Sequence, residues 1–311
     1  MKIAVVGAGG IGGYFGGLLA HAGADVTFIA RGAHLEALQR DGLRLTTSHG
    51  DYTIPVRATD DPAAVGPVDL VLFCVKSQDT EEAAAAIRPL VRDDTAVLSL
   101  QNGVDNEEKI AAILGRGVVL GGVARIEAAI VEPGVVMQAG RARSIELGAL
   151  RPEDRPVAER VYQELARGGF PVKLVDDTRY ALWDKFYFLA SIAGTTALAR
   201  ATIREIVDWP PTRQLFVDAL NEAIAIARAE GVDLGAGAVE RALRIADSAH
   251  ETMRTSMERD LSRGRRLEVE ALNGVIVRLG ERHGIATPVH RCISATLSLA
   301  NRRAEAAARG A

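Results

Sequence analysis

Met1-Lys2-Ile3-Ala4-Val5-Val6-Gly7-Ala8-Gly9-Gly10-Ile11-Gly12-Gly13 opens the chain, and the reading of this stretch decides the fold. A short apolar strand runs straight into glycines, and a second apolar run follows them. Gly7, Gly9 and Gly12 have the G-x-G-x-x-G spacing of a dinucleotide-binding turn, set between a strand and a helix. Gly7 permits the tight turn, Gly9 lets backbone approach a pyrophosphate, and Gly12 lets the next helix pack close to the sheet. The N-terminus of that helix offers N–H groups and a partial positive charge to phosphates. With Ala8, Gly10 and Ile11 these residues form the expected cofactor cradle. The alternative is a flexible glycine loop, which the strand–turn–helix context disfavours.

The second strand, Asp25–Ala30, ends at Arg31 and Gly32. A chain that prefers NAD usually places Asp or Glu at this point to hold the ribose 2′-hydroxyl, whereas an Arg can receive a 2′-phosphate. Guanidinium and phosphate pair with favourable geometry and full charge assistance. The expected cofactor is therefore NADP(H). The other reading of Arg31 is a solvated residue at a helix start.

Strand-like runs at Ile3–Val6, Val26–Ala30, Leu70–Val75 and Ala96–Leu100 alternate with helical patterns around Tyr14–His21, Ala33–Arg40, Glu81–Leu90 and Glu107–Leu114. That alternation predicts a parallel sheet with helices on both faces. A β-rich stretch, Gly117–Leu147, contains Glu132-Pro133-Gly134 as a turn. A helix over Arg151–Arg167 and a last strand over Phe170–Val175 follow. Beyond Asp176 strand signals vanish, and helix-periodic segments cover Thr178–Ile192, Arg213–Glu230, Ala238–Arg263, Leu267–Arg282 and His290–Arg309. The prediction is an α/β, Rossmann-type dinucleotide-binding domain over residues 1–175 and an all-α domain for substrate and dimerisation over residues 176–311. The alanine-rich C-terminal tail is expected to fray.

At 311 residues, 48% hydrophobic and 25% charged, the chain has the composition of a soluble globular protein of two domains. A net charge of −3 provides no electrostatic footprint for nucleic acid or an anionic membrane. The two cysteines, Cys74 and Cys292, give neither a disulfide framework nor metal-ligand spacing, and Cys74 reads as a buried thiol. The first strand begins at once, so no signal peptide is expected, and no apolar stretch has membrane-spanning length. A cytoplasmic location is expected. Long amphipathic helices in the second half permit a homodimer without requiring one.

Groups able to do chemistry are expected at strand ends of the first half and on helices of the second. Lys76 follows one apolar strand and Asn102, in Gln101-Asn102-Gly103, follows the next. Asn102 offers a donor and acceptors, suiting a carboxamide or a substrate hydroxyl. The plain alternatives are a solvated lysine and an Asn-Gly turn. Lys185 lies in the apolar segment Leu182–Leu189, where it either snorkels to solvent or is desolvated toward a useful pKa. Ser256 and Glu268 flank the basic stretch Gly264-Arg265-Arg266, and Glu268 could equally be a carboxylate complementing a helix dipole.

Together these motifs resemble the ketopantoate reductase (2-dehydropantoate 2-reductase) family over nearly the whole chain. The resemblance rests on the glycine turn, Ala30-Arg31, Val75-Lys76, Gln101-Asn102-Gly103 and Glu132-Pro133-Gly134. In the second half it rests on Trp183-x-Lys185, Ser256-Met257-x-x-Asp260, Gly264-Arg265, Glu268 and Asn273-Gly274. It implies a C-terminal domain like that of 6-phosphogluconate dehydrogenase and NADPH-dependent reduction of a 2-oxo acid, 2-dehydropantoate to pantoate in pantothenate biosynthesis. By position it implies that Lys185 is the general acid and that Asn102 bridges nicotinamide and substrate. Ser256 would contact substrate, and Glu268 would lie near cofactor and substrate hydroxyl. Arg31 and Lys76 would take the adenosine-phosphate end, and Ala128 would touch the cofactor through its backbone. The sequence departs from the family where asparagines follow the catalytic lysine: Leu189, Ala193 and Ile203 stand there instead. Apolar side chains cannot replace hydrogen bonds to substrate. A paralogous reductase of a more apolar 2-oxo acid or imine is therefore an alternative, and a non-catalytic NADP(H)-binding protein is a third.

Overall fold

The computed structural model describes residues 1–309, so Gly310 and Ala311, the end of the tail expected to fray, lie outside the described residues. The chain divides into two units, Met1–Gln101 with Asp105–Ala181, and Asn102–Val104 with Leu182 onward.

The first unit is built on one sheet. Its strands are β1 (Lys2–Val6), β2 (Asp25–Ile29), β3 (Leu43–Thr47), β4 (Gly50–Ile54), β5 (Arg57–Thr59), β6 (Leu70–Phe73), β7 (Ala96–Ser99), β8 (Val118–Glu132), β9 (Val135–Ala149) and β10 (Val172–Leu174). From β5 through β2, β1, β6 and β7 to β8 every neighbouring pair is parallel. The chain reverses the direction in which it adds strands at β1, which has β2 on one side and β6 on the other. This is the doubly wound order, whose ligand end lies at the carboxyl ends of the strands beside that reversal. Gly7 follows β1 and Lys76 follows β6, so both stand at that end; Asn102, which follows β7 in the chain, belongs to the second unit. β6 reads Leu-Val-Leu-Phe and is buried throughout, as expected where helices cover both faces of a parallel strand.

Beyond the parallel core, β8 and β9 form a long antiparallel hairpin around the expected turn at Glu132-Pro133-Gly134, with irregular register near Ile126 and Ile130. β9 also carries β10 and, through a parallel pairing, β3, which pairs antiparallel with β4. The strands β3, β4 and β5 were not expected: each is only three to five residues long and partly exposed. The helix expected from Arg151 starts at Arg155, because Pro156 favours the first turn of a helix and Pro152 opens a separate short turn.

The helix after the glycine turn, Gly10–His21, lies unusually close to the sheet. Gly7 has φ of +91°, and a Cβ there would stand 2.8 Å from the Val75 nitrogen. A Cβ on Gly12 would collide with the Gly7 carbonyl oxygen, and one on Gly10 would collide with the Ala128 carbonyl oxygen of β8. Backbone meets backbone at both places.

Among the described residues the second unit holds no strand. The chain enters it within the helix Thr178–Ala199, and the helices Ile203–Asp208, Pro210–Ala229, Ala238–Asp247, Ser256–Ser262, Val275–His283 and Pro288–Arg309 follow. Two expectations need correction. The segment Ala238–Arg263 is not one helix: it stops at Asp247 and restarts at Ser256, where Thr255 caps the new N-terminus through the Glu258 N–H. The intervening loop is held by the Ile203 N–H donating to the Met253 carbonyl, and by His250 and Thr252 bonding each other. The helix expected from Leu267 opens with a π-helical turn, Glu270–Gly274. That turn seats Asn273 against the long helix, where it donates to the Ala190 carbonyl and meets His290 Nδ1 at 3.0 Å. A Cβ on Gly194 would stand 2.5 Å from Asn273 Nδ2, so this contact also depends on a missing side chain.

Gly10→Ala is expected to destabilise the protein by about 1–3 kcal/mol, the usual cost of forcing a methyl into a packed interior. Urea denaturation followed by circular dichroism measures it. A second expectation concerns His290, which is buried and pushed down to about 4 by desolvation. Its neutral form is favoured only in the folded state, so its contribution to stability is full above about pH 6.5 and is lost as pH falls through about 4. The loss is on the order of 3 kcal/mol. His290→Gln should flatten that part of the acid-denaturation curve.

Candidate active site

The glycine turn fits a dinucleotide on three observations. A Cβ on Gly9 would have nothing within 4 Å, so the backbone there faces open space. Gly9 is also the N-cap of the helix Gly10–His21, and no side chain caps that end. Gly7 turns the chain in a conformation that L side chains rarely adopt. Bare N–H groups at an uncapped helix start are the feature that binds pyrophosphate. Gly7, Ala8, Gly9, Gly10, Ile11 and Gly12 would hold it, and the Ala128 carbonyl lies against Gly10 at the helix start.

Arg31 stands at the N-cap position of the helix Gly32–Asp41, just after β2, with no side-chain capping bond; its side chain is 71% exposed and pairs with Glu82 at 3.1 Å. An anion arriving at this guanidinium therefore meets an exposed, screened pair rather than a buried one. Lys76 is exposed after β6. Its loop is fixed by Gln101, whose Nε2 donates to the Val75 carbonyl and to Thr80 Oγ1, while Thr80 donates to the Ser77 carbonyl. Cys74 is partly buried, and desolvation holds its thiol far above the usual range, which favours the protonated form.

A residue absent from the sequence reading, His34, bridges the turn. Its Nε2 lies 2.9 Å from the Ala8 carbonyl oxygen, and the Gly134 N–H donates to its Nδ1 at 3.0 Å. Nothing in the pattern Gly32-Ala33-His34-Leu35 signals this, because the partners lie in two other segments.

In the helical unit the structure gathers three of the predicted residues. Lys185 Nζ donates to Asn102 Oδ1 at 2.8 Å, and Asn102 Nδ2 donates to Glu268 Oε2 at 3.4 Å. Ammonium only donates and carboxylate only accepts, so the two partners fix which way the Asn102 amide faces. Glu268 is buried and stands just ahead of the π-helical turn. Asn273 pins that turn to the helix of Lys185, which holds the carboxylate in register with the amine. Ser256 is outside these hydrogen bonds. It begins its own helix, and its neighbour Thr255 bonds Thr196 at 2.9 Å, on the helix that carries Lys185.

Of the three apolar departures, Leu189 is partly buried, while Ala193 and Ile203 are buried members of the helical core. Leu189 and Ala193 follow Lys185 at four and eight residues and share its helix face.

A doubly wound sheet with an uncapped glycine turn, and a lysine linked through an amide to a buried glutamate, define a dinucleotide-dependent oxidoreductase. The family description "Ketopantoate reductase PanE/ApbA" matches residues 3–152 and its C-terminal counterpart matches residues 177–301. The chain belongs to the ketopantoate reductase family. It is 35% identical to the 2-dehydropantoate 2-reductase of Halobacterium salinarum over 97% of this chain and 99% of that protein. A PanE/ApbA family ketopantoate reductase from Ralstonia eutropha superposes with TM-score 0.90 at 36% identity, covering 98% of this chain and 100% of the other. The 2-dehydropantoate 2-reductase of Geobacter metallireducens gives TM-score 0.90 at 34% identity, with 96% and 100% covered. Among the described residues no helix is long and apolar enough to cross a membrane.

Proposed function

We propose that the chain reduces 2-dehydropantoate to pantoate with NADPH, and that Lys185 is the acid of the reaction. The observation that carries this reading is the hydrogen-bonded series Lys185, Asn102, Glu268 in a chain of this family. When bound, the reduced nicotinamide supplies the hydride that adds to the ketone carbon. One of the three N–H donors of Lys185 goes to Asn102; we assign another to the ketone oxygen. As charge develops on that oxygen, the ammonium stabilises it and transfers a proton, giving the hydroxyl. Asn102 holds the amine in place, and Glu268 holds Asn102. Ser256 is assigned to the substrate. Arg31 and Lys76 are assigned to the adenosine phosphates, with Arg31 reading the 2′-phosphate, and Ala128 to the cofactor through its backbone. A cytoplasmic location and a homodimer belong to the same proposal, and sedimentation velocity tests the second.

A more apolar 2-oxo acid is the second reading, favoured by Leu189, which puts an apolar group one turn beyond Lys185. Ranking kcat/KM over a panel of 2-oxo acids separates the two: ketopantoate at the top supports the first, and a bulkier apolar acid at the top supports the second.

Lys185→Ala is expected to lower kcat by about 10²–10⁴-fold, the range for loss of a general acid, with NADPH affinity little changed. Undiminished turnover would remove Lys185 from the role. Arg31→Ala is expected to weaken NADPH at least about tenfold, as for a lost charge-assisted pair, while NADH changes little. Equal losses for the two dinucleotides would show that Arg31 does not read the 2′-phosphate.

A further inference from the structure

We infer that His34 is the positioning residue of the dinucleotide turn, tying the Ala8 carbonyl to the β8–β9 turn as a neutral ring and letting go of the β8–β9 turn when protonated. The inference rests on the dinucleotide reading of the glycine turn.

The partners of His34 dictate its tautomer. A backbone N–H can only donate, so Nδ1, facing Gly134, carries no proton. A carbonyl oxygen can only accept, so Nε2, facing Ala8, carries one. The ring is thereby fixed as neutral Nε2–H. Burial favours the same state, since desolvation lowers the affinity of this half-buried imidazole for a second proton.

The position of Ala8 gives the contact its consequence. Its carbonyl shares a planar trans peptide with the Gly9 N–H, so holding the oxygen sets the direction of that N–H. Gly9 is the uncapped helix start, with open space beside its Cα. The other arm of His34 holds Gly134, whose carbonyl accepts from the Arg44 N–H at 2.9 Å. The same hairpin brings the Ala128 carbonyl against Gly10. One ring thus holds both segments that shape the helix start.

Protonation turns Nδ1 from acceptor into donor, facing another donor, and the Gly134 contact is lost. The elements packed against the ring carry Arg31 just before its own helix, Glu36, Arg40 and Asp41 on that helix, Arg125, Glu127, Glu132, Arg141, Arg143 and Glu146 on the hairpin, and Arg44 on β3; the glycine turn carries no charged group. A bound pyrophosphate would attract an imidazolium, so the two effects have opposite signs. Loss of the clamp predicts weaker binding in acid, and phosphate attraction predicts tighter binding.

Calorimetric titration of the full chain with NADP+ and NAD+ from about pH 7.5 down to about pH 4.5, through the ordinary range of His and below it, where desolvation places the protonation of His34, tests the inference. NAD+ has no 2′-phosphate to titrate. For wild type the Kd for NAD+ should rise as pH falls. His34→Phe should raise Kd about tenfold at neutral pH, the scale of one or two lost hydrogen bonds, and abolish the acid step. His34→Gln places a donor where Nε2 stands and should recover most of the affinity without the acid step. His34→Asn reaches only as far as Nδ1 and should recover less. Thermal unfolding of each variant confirms that it is folded. Affinity that tightens in acid, or a His34→Phe protein matching wild type in Kd and pH profile, overturns the inference. A wild-type chain that binds neither dinucleotide overturns the cofactor reading itself, and this inference with it.

Discussion

Backbone packed directly against backbone is the constraint on which the first unit depends. The helix Gly10–His21 reaches the sheet only because Gly12 has no Cβ to meet the Gly7 carbonyl and Gly10 none to meet Ala128. Interiors are packed to crystal-like density, so one methyl at such a contact must displace a strand or a helix. The same closeness leaves the helix start uncapped and the Gly9 backbone open. The arrangement that binds anions is thus a by-product of the arrangement that packs.

A second constraint is shared by both units: ambiguous polar groups are oriented by partners whose polarity cannot change. The His34 tautomer is set by a peptide N–H and a peptide carbonyl. The Asn102 amide is set by an ammonium and a carboxylate. His290 follows the pattern in the helical core through the Ala219 carbonyl, which only accepts and so leaves Nδ1 to receive the Asn273 amide. Each group is wholly or partly withdrawn from water, where a wrongly facing donor would cost its full desolvation. Functional polarity is held in place by the ordinary requirement that buried polar atoms be paired.

The doubly wound core was legible in the sequence because each of its devices is local. Gly7, Gly9 and Gly12 lie within six residues, β6 and β7 are continuous apolar runs, and Glu132-Pro133-Gly134 marks its own turn. Lys185, Asn102 and Glu268 could be named one at a time from position and resemblance. Their hydrogen bonds could not be read, since they join residues 83 and 166 positions apart. His34 escaped notice for the same reason, with one partner a hundred residues away. The break after Asp247 was missed because helical periodicity persists on both sides of it. What stops the helix there is a set of local Ser, His and Thr contacts that competes with helix only in the folded setting.

The apolar residues beyond Lys185 carry a narrower meaning in the structure than in the sequence. Ala193 and Ile203 are core residues, so their side chains answer to packing in the helical unit. Polarity returns to the Lys185 face at Thr196, eleven residues on, and is satisfied internally by the Ile192 carbonyl and Thr255. Thr255 caps the helix that Ser256 begins, so this bond places the start of that helix relative to the helix of Lys185. Of the three departures, Leu189 alone is only partly buried. The choice between a polar and an apolar 2-oxo acid therefore falls chiefly on one side chain, a single turn of helix from the amine that would protonate it.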